Sequence, residues 1–148
     1  LIVFYASFLK HIFFRVAEFH LGLNDLSISY GRDFLFDLIS DGTVANLCQI
    51  LRDSNVRFGF GGIGSLSRTD LPVSPELILA YQVAMGASRG WLGRSFRDAS
   101  VGRLPAEIKK LREKIAFWRN ANSSQRQCME SLLMSQIDAA TGRRRRSA

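Results

Sequence analysis

The residues best suited to chemistry in this chain are Gly22-Leu23-Asn24-Asp25-Leu26. They follow an apolar run, residues 16–21, which predicts a short strand. In parallel α/β folds, ligands gather at the carboxyl ends of the strands. An Asp there can hold a divalent cation, and nearby backbone N–H groups can hold a carboxylate or phosphate. The alternative is an ordinary Asn-Asp turn that simply ends the strand.

Two further carboxylates and two arginines in predicted loops are weaker candidates. Asp41 and Asp70 are possible metal ligands, but nothing in their neighbourhood singles out either one, and hard cations need several oxygen ligands. Arg68 and Arg94 follow the second and third predicted strands, and each can clamp a phosphate or carboxylate. A solvated loop arginine is the alternative for both, and we retain Arg94 as a substrate-binding candidate.

The glycines from Gly59 to Gly64 fit the dinucleotide pattern G-x-G-x-x-G. That pattern requires a helix to begin at once, but here the next helix start is predicted at Ser74. Its usual acidic residue is also missing, because residues 79–81 are Leu-Ala-Tyr. We therefore expect either a strand end at which the backbone approaches a ligand or tight packing of a strand against a helix.

The net charge of +7 depends largely on Arg143 to Arg146, because the rest of the chain holds 16 basic and 13 acidic residues. We interpret residues 143–148 as a basic disordered tail and residues 1–142 as one domain. The aromatic residues have core spacing and do not alternate with basic residues, so no nucleic-acid surface is predicted. His20, inside a strand, is interpreted as a packed side chain, and His11 as a surface residue.

The two cysteines, Cys48 and Cys128, have no metal-site or disulfide spacing, which favours buried thiols in a reducing cytoplasm. The apolar N-terminal stretch lacks the features of a signal peptide, and Lys10, His11 and Arg15 make it too short to span a membrane. Because the sequence begins abruptly with apolar residues, we expect a piece of a larger protein.

These residues need elements that position them, and the apolar spacing predicts strands alternating with helices. This order predicts a parallel sheet joined by crossovers, an α/β fold. The predicted strands are 16–22, 56–62 and 88–93, with loops at 24–31 and 63–73. The predicted helices are 3–14, 33–39, 43–52, 74–85, 104–120 and 124–139.

The stretch from Phe19 to Ser27 resembles the strand-six signature of the phosphoenolpyruvate/pyruvate-type TIM barrels. It is most similar to the HpcH/HpaI aldolase and citrate lyase family, whose members carry Gly-x-x-Asp-Leu at this point. In this resemblance residues 58–64 take the place of strand seven, 77–86 of helix seven and 91–96 of strand eight. The resemblance covers about residues 16–120.

The resemblance implies the last three or so β/α units of a (β/α)8 barrel, since a whole barrel needs ~250 residues. It implies that Asp25 binds Mg²⁺ or Mn²⁺ together with a Glu from an earlier strand. Gly22 and Asn24 beside it would help to bind a pyruvate carboxylate. The implied reaction is carbon–carbon bond cleavage or formation on a 2-keto acid through a pyruvate enolate, in a homo-oligomeric, cytoplasmic enzyme. The resemblance assigns no catalytic residue to this sequence.

Three alternatives stay open. A phosphoenolpyruvate-utilising phosphotransferase barrel carries a similar Gly-x-Asn-Asp-Leu, but it places a Cys after strand seven, and residues 58–65 contain none. A non-catalytic α/β domain would bind an anion or a partner through the glycine-rich loop. A basic accessory protein would be held on nucleic acid by its arginine tail.

Overall fold

The computed structural model describes residues 17–97 and 101–147. The predicted helix 3–14 and His11 lie outside the described residues. The elements follow in the order β1 (Glu18–Leu21), α1 (Leu23–Ser29), α2 (Asp37–Ser40), α3 (Thr43–Asp53), β2 (Arg57–Ile63), α4 (Pro75–Ala84), β3 (Arg89–Leu92), α5 (Arg94–Arg97), a 3₁₀ turn (Val101–Arg103), α6 (Leu104–Arg119) and α7 (Ser123–Ser147).

The three strands form a parallel sheet in the order β1-β2-β3, so neighbours along the chain are also neighbours in space. In register, His20 of β1 lies beside Gly59 of β2, which in turn lies beside Arg89 of β3. Helices flank the sheet. The predicted α/β class with a parallel sheet is therefore confirmed.

One face of the sheet carries the main hydrophobic core. Leu21, Phe58 and Phe60 point to this face and are at most 5% exposed. They pack in one cluster with buried side chains from the helices between the strands and from α7, among them Leu38, Val44, Cys48, Ile78, Tyr81, Leu133 and Ile137. The helices therefore cover this face of the sheet. A smaller cluster, Ile63, Leu79, Phe96 and Leu111, joins α6 to the end of β2.

The opposite face of the sheet, which we call the open face, carries Glu18, His20, Arg57, Arg89 and Trp91 along with two glycines of β2. Trp91 is 68% exposed, and Arg57 and Arg89 are also exposed. All-parallel sheets almost always have both faces covered. Within residues 17–97 and 101–147, the open face therefore lacks the cover that is usual for a sheet of this type.

The pairing of β2 with β3 is irregular between Phe60 and Ile63, where Gly62 has a φ of +97°. The buried side-chain amide of Gln82 on α4 donates to the carbonyl oxygens of Phe60 at 3.0 Å and of Gly61 at 3.2 Å. This satisfies backbone acceptors that the ladder leaves free at the bulge.

Several predicted elements need correction. Residues 24–31 do not form the predicted loop, because α1 occupies residues 23–29 and buries Leu23 and Ser27 one turn apart. The predicted helix 33–39 is helical only from Asp37. Cys48 is buried as expected, but Cys128 is exposed on α7. α7 continues beyond the predicted helix end at residue 139, as far as Ser147.

The helix ends mostly follow their sequence signals. α4 begins with Pro75 after Ser74 and is followed by Gly86, whose φ is +79°. The Ser74 hydroxyl, however, makes no capping bond, and the backbone N–H of Ser74 donates instead to Gln136 of α7 at 2.7 Å.

Among the described residues, no helix has the length and apolarity needed to cross a membrane.

Candidate functional site

The carboxyl ends of the three parallel strands meet at one edge of the sheet, and each is followed by a glycine. Gly22 follows β1, Gly64 follows β2 and Gly93 follows β3. Neighbouring strands are separated by about 4.8 Å, so the ends of β1 and β3 are roughly 10 Å apart. The candidate residues Asp25 and Arg94 therefore lie at this edge, on either side of β2.

Asp25 is exposed in the first turn of α1, four residues after the end of β1. One of its carboxylate oxygens lies 2.9 Å from the point that a Cβ at Gly22 would occupy. Gly22 thus gives this carboxylate the space to fold back over the strand end. Within the described part of the chain the carboxylate forms no hydrogen bond or ion pair, which leaves its oxygens available to a ligand.

Asn24 is exposed beside Asp25, and its carbonyl oxygen accepts a hydrogen bond from the hydroxyl of Ser27 at 2.7 Å. This bond fixes the backbone of the first turn of α1. The Asn24 side chain forms no hydrogen bond to any described residue. Gly22, Asn24 and Asp25, which the sequence predicted together, therefore lie side by side at the end of β1.

Arg94 is exposed at the start of α5, directly after β3. Its two neighbours are both bonded to the end of β2. The N–H of Gly93 donates to the carbonyl oxygen of Ile63 at 2.6 Å, and the Ser95 hydroxyl accepts from the N–H of Ser65 at 2.9 Å. The arginine thus extends from a backbone that is held on both sides.

A buried carboxylate that the sequence gave no reason to expect lies behind these loops. Glu107 in the first turn of α6 is 5% exposed. Its Oε2 accepts from the hydroxyl of Ser65 at 2.6 Å, its Oε1 accepts from the hydroxyl of Ser67, and Lys110 lies 3.2 Å away. Its two serine partners are about 40 residues earlier in the chain, so no local pattern predicted the cluster.

The cluster keeps Glu107 ionised. The hydroxyls of Ser65 and Ser67 donate to the carboxylate, and Lys110 adds a positive charge; together they lower its pKa from 4.5 to about 2 despite its burial. Its position near the amino end of α6 also favours a negative charge. Glu107 is therefore a fixed anion that holds its donors in place, rather than a proton donor near neutral pH.

The other carboxylates considered from the sequence are already engaged. Asp70 forms a two-pronged pair with Arg68, at 2.6 and 2.5 Å, and these bonds lower its pKa to about 2. Asp41 pairs with Arg32 at 2.8 Å and accepts from the N–H of Thr43 at 3.0 Å. Partial burial opposes its ionisation, but the bonds to Thr43 and Arg32 prevail and lower its pKa. These pairs stabilise loops, which removes Asp41, Asp70 and Arg68 as free ligands.

His20 packs as the sequence predicted, but against an unexpected partner. Its ring stacks on that of Trp91 with centroids 4.4 Å apart and planes at 22°. Burial lowers the pKa of His20 below 6.5, although Glu18 acts in the opposite direction. Glu18 also pairs with Arg89 at 3.2 Å. The open face thus carries an aromatic stack and an ion pair that both bridge β1 and β3 over the central strand.

The predicted metal site is incomplete within the described residues. They contain no group of three or more His, Cys, Asp or Glu side chains placed to hold one ion. Asp25 supplies a single unengaged carboxylate of the kind that Mg²⁺ and Mn²⁺ prefer. Two polar clefts of about 280 and 450 Å³ lie against α7, but neither is lined by Asp25 or Arg94.

Comparison of the chain with protein family models, with curated proteins and with solved structures finds no match.

Proposed function

We propose that this chain forms part of a metal-dependent carbon–carbon lyase that acts on 2-keto acids through a pyruvate enolate. The observation that carries the proposal is the position of Asp25. It is an unengaged carboxylate in the first turn of the helix that follows a parallel strand, at the edge of the sheet where ligands bind in α/β barrels.

The architecture supports the barrel on which this proposal depends. In a doubly wound sheet the strand order reverses and helices cover both faces. Here strands adjacent in sequence are adjacent in the sheet, and the helices pack on one face. That arrangement fits an arc of a (β/α)8 barrel, whose interior face would be the open face, and it also occurs within one half of a doubly wound sheet. The resemblance of Phe19 to Ser27 to the HpcH/HpaI aldolase and citrate lyase family is the second support for the proposal.

In this proposal Asp25 is one ligand of Mg²⁺ or Mn²⁺, and Gly22 leaves room for its carboxylate. A metal ion held by Asp25 would supply Lewis-acid polarisation at the keto oxygen of a 2-keto acid. Further ligands have to come from outside the described residues. Arg94, about 10 Å across the sheet edge, would pair with a carboxylate or phosphate of the substrate.

The direct test is release of pyruvate from 4-hydroxy-2-keto acids in the presence of Mg²⁺ or Mn²⁺. The unaltered chain is compared with Asp25→Asn and with Glu113→Gln, a matched control that removes an exposed carboxylate on α6. In the protein that also supplies the remaining metal ligands, we expect metal-dependent release that Asp25→Asn abolishes and Glu113→Gln retains. Release that is indifferent to Asp25 or to the metal contradicts the proposal and favours an anion- or partner-binding domain.

A further inference from the structure

The place of Arg94 depends on the loop that follows β2. Gly93 and Ser95, on either side of Arg94, bond to Ile63 and Ser65 at 2.6 and 2.9 Å. A Cβ at Gly93 would lie 3.0 Å from the carbonyl oxygen of Ile63, so this approach is close. Ser65 therefore acts on Ser95, the residue that follows Arg94, through this hydrogen bond.

Ser65 is in turn held by Glu107. The Ser65 hydroxyl donates to the buried carboxylate at 2.6 Å, and it accepts from the N–H of Ser67 at 3.3 Å. The Ser67 hydroxyl donates to the other carboxylate oxygen and accepts from Lys110 at 2.9 Å. A carboxylate accepts on both oxygens, which suits two hydroxyl donors and an ammonium group.

We propose that Glu107 is a positioning residue that fixes Arg94 for an anionic substrate through Ser65 and Ser95. It connects α6, the loop after β2 and the start of α5 without lying at the strand ends itself. The part of this inference that concerns substrate rests on the proposed function. The part that concerns the two loops stands on the hydrogen bonds alone.

The first experiment measures amide hydrogen exchange by NMR in Glu107→Gln. Glutamine has the same shape as glutamate, but its NH₂ group replaces one carboxylate oxygen and cannot accept a hydrogen bond from Ser65 or Ser67. We expect the Ser65 amide to exchange roughly tenfold faster or more, and the amide signals of Arg94 and Ser95 to shift. Glu113→Gln, on the same helix, should leave all three unchanged.

Ser65→Ala provides a second route, because it removes the hydroxyl bonded to Glu107 and keeps the backbone N–H bonded to Ser95. It should speed exchange of that same amide even if Glu107→Gln does not fold. An unchanged amide at position 65 in a folded Glu107→Gln or Ser65→Ala protein overturns the proposal.

The second experiment measures pyruvate binding in the presence of Mn²⁺ for Arg94→Ala, Glu107→Gln and the double variant. If Glu107 acts through Arg94, the double variant binds as weakly as Arg94→Ala alone. Losses that add overturn the proposal. Absence of pyruvate binding by the unaltered chain contradicts the proposed function instead, and the exchange experiment still decides whether Glu107 positions Arg94.

Discussion

His20 of β1 and Trp91 of β3 stack on each other at 4.4 Å, although the whole of strand β2 separates their backbones. The stack is possible because β2 presents Gly59 and Gly61, which have no side chains, to this face of the sheet. A Cβ at Gly61 would lie 3.9 Å from Nε2 of His20. The two glycines, which belong to the pattern that resembles a dinucleotide fingerprint, lie directly beneath the stacked rings of His20 and Trp91.

The two glycines under the stack should differ sharply in their tolerance of alanine. A Cβ at Gly59 would lie 2.2 Å from the carbonyl oxygen of Arg89, so Gly59→Ala must separate β2 from β3. We expect a loss of roughly 1–3 kcal/mol or more in the free energy of unfolding. Gly61→Ala meets only ordinary contact and should be neutral or stabilising by about 0.4–1 kcal/mol.

Urea unfolding of the two alanine variants, followed by circular dichroism, measures this difference. Equal stabilities for Gly59→Ala and Gly61→Ala would contradict the close approach of the two strands.

Protonation of His20 should be visible in the fluorescence of Trp91. Burial lowers the pKa of His20 below 6.5, so the indole emission should change with a midpoint below that value. The unfolded chain binds the proton more readily, and stability therefore falls as the pH drops below about 6.5. Since Glu18 raises this pKa, Glu18→Gln should move the midpoint lower still.

This titration is best carried out in a Trp118→Phe background, so that Trp91 is the remaining tryptophan. A midpoint at or above 6.5, or one that does not respond to Glu18→Gln, argues against the stacked arrangement.

The Glu107 cluster should make part of the stability sensitive to acid. The pKa of Glu107 is lowered from 4.5 to about 2 in the folded state, so its ionised form favours folding above pH 4.5. That contribution is lost as the pH falls from about 4.5 to about 2. At neutral pH, Glu107→Ala leaves the buried hydroxyl of Ser65 without its acceptor, which we expect to cost roughly 1–3 kcal/mol.

Thermal melts of the unaltered chain and Glu107→Gln between pH 7 and pH 2 measure this contribution. The difference between their free energies of unfolding should narrow as the pH falls from about 4.5 to about 2. The stability of Glu113→Gln should follow that of the unaltered chain at every pH. A gap that stays constant down to pH 2 is inconsistent with an ionised Glu107.

The elements that the sequence predicted well have strong local signals. Ser74-Pro75 marks the start of α4 and Gly86 marks its end, because proline fits the first helical turn and glycine adopts positive φ. The strands were found from short apolar runs bounded by turn residues. The parallel order followed from their alternation with helices.

The features that the sequence did not predict depend on contacts between residues that are far apart in the chain. α1 has barely two turns, so its periodicity is weak, and its helical state is secured by burial of Leu23 and Ser27. The roles of Glu107 and Gln82 arise from partners 42 and 22 residues away. The positions of Asp25 and Arg94 after predicted strands made them candidates. That both lie at the same edge of the sheet follows only from the order of the strands, which the structure gives.

The most direct measurement of the central claim is Mn²⁺ binding, followed by electron paramagnetic resonance, in the presence of pyruvate. The unaltered chain is compared with Asp25→Asn and Glu113→Gln. If Asp25 is a metal ligand, Asp25→Asn should weaken Mn²⁺ binding at least as much as the loss of an outer-shell partner does, which is roughly 10–100-fold. Glu113→Gln should bind Mn²⁺ as the unaltered chain does. Equal Mn²⁺ affinity in all three proteins would contradict the metal-dependent lyase.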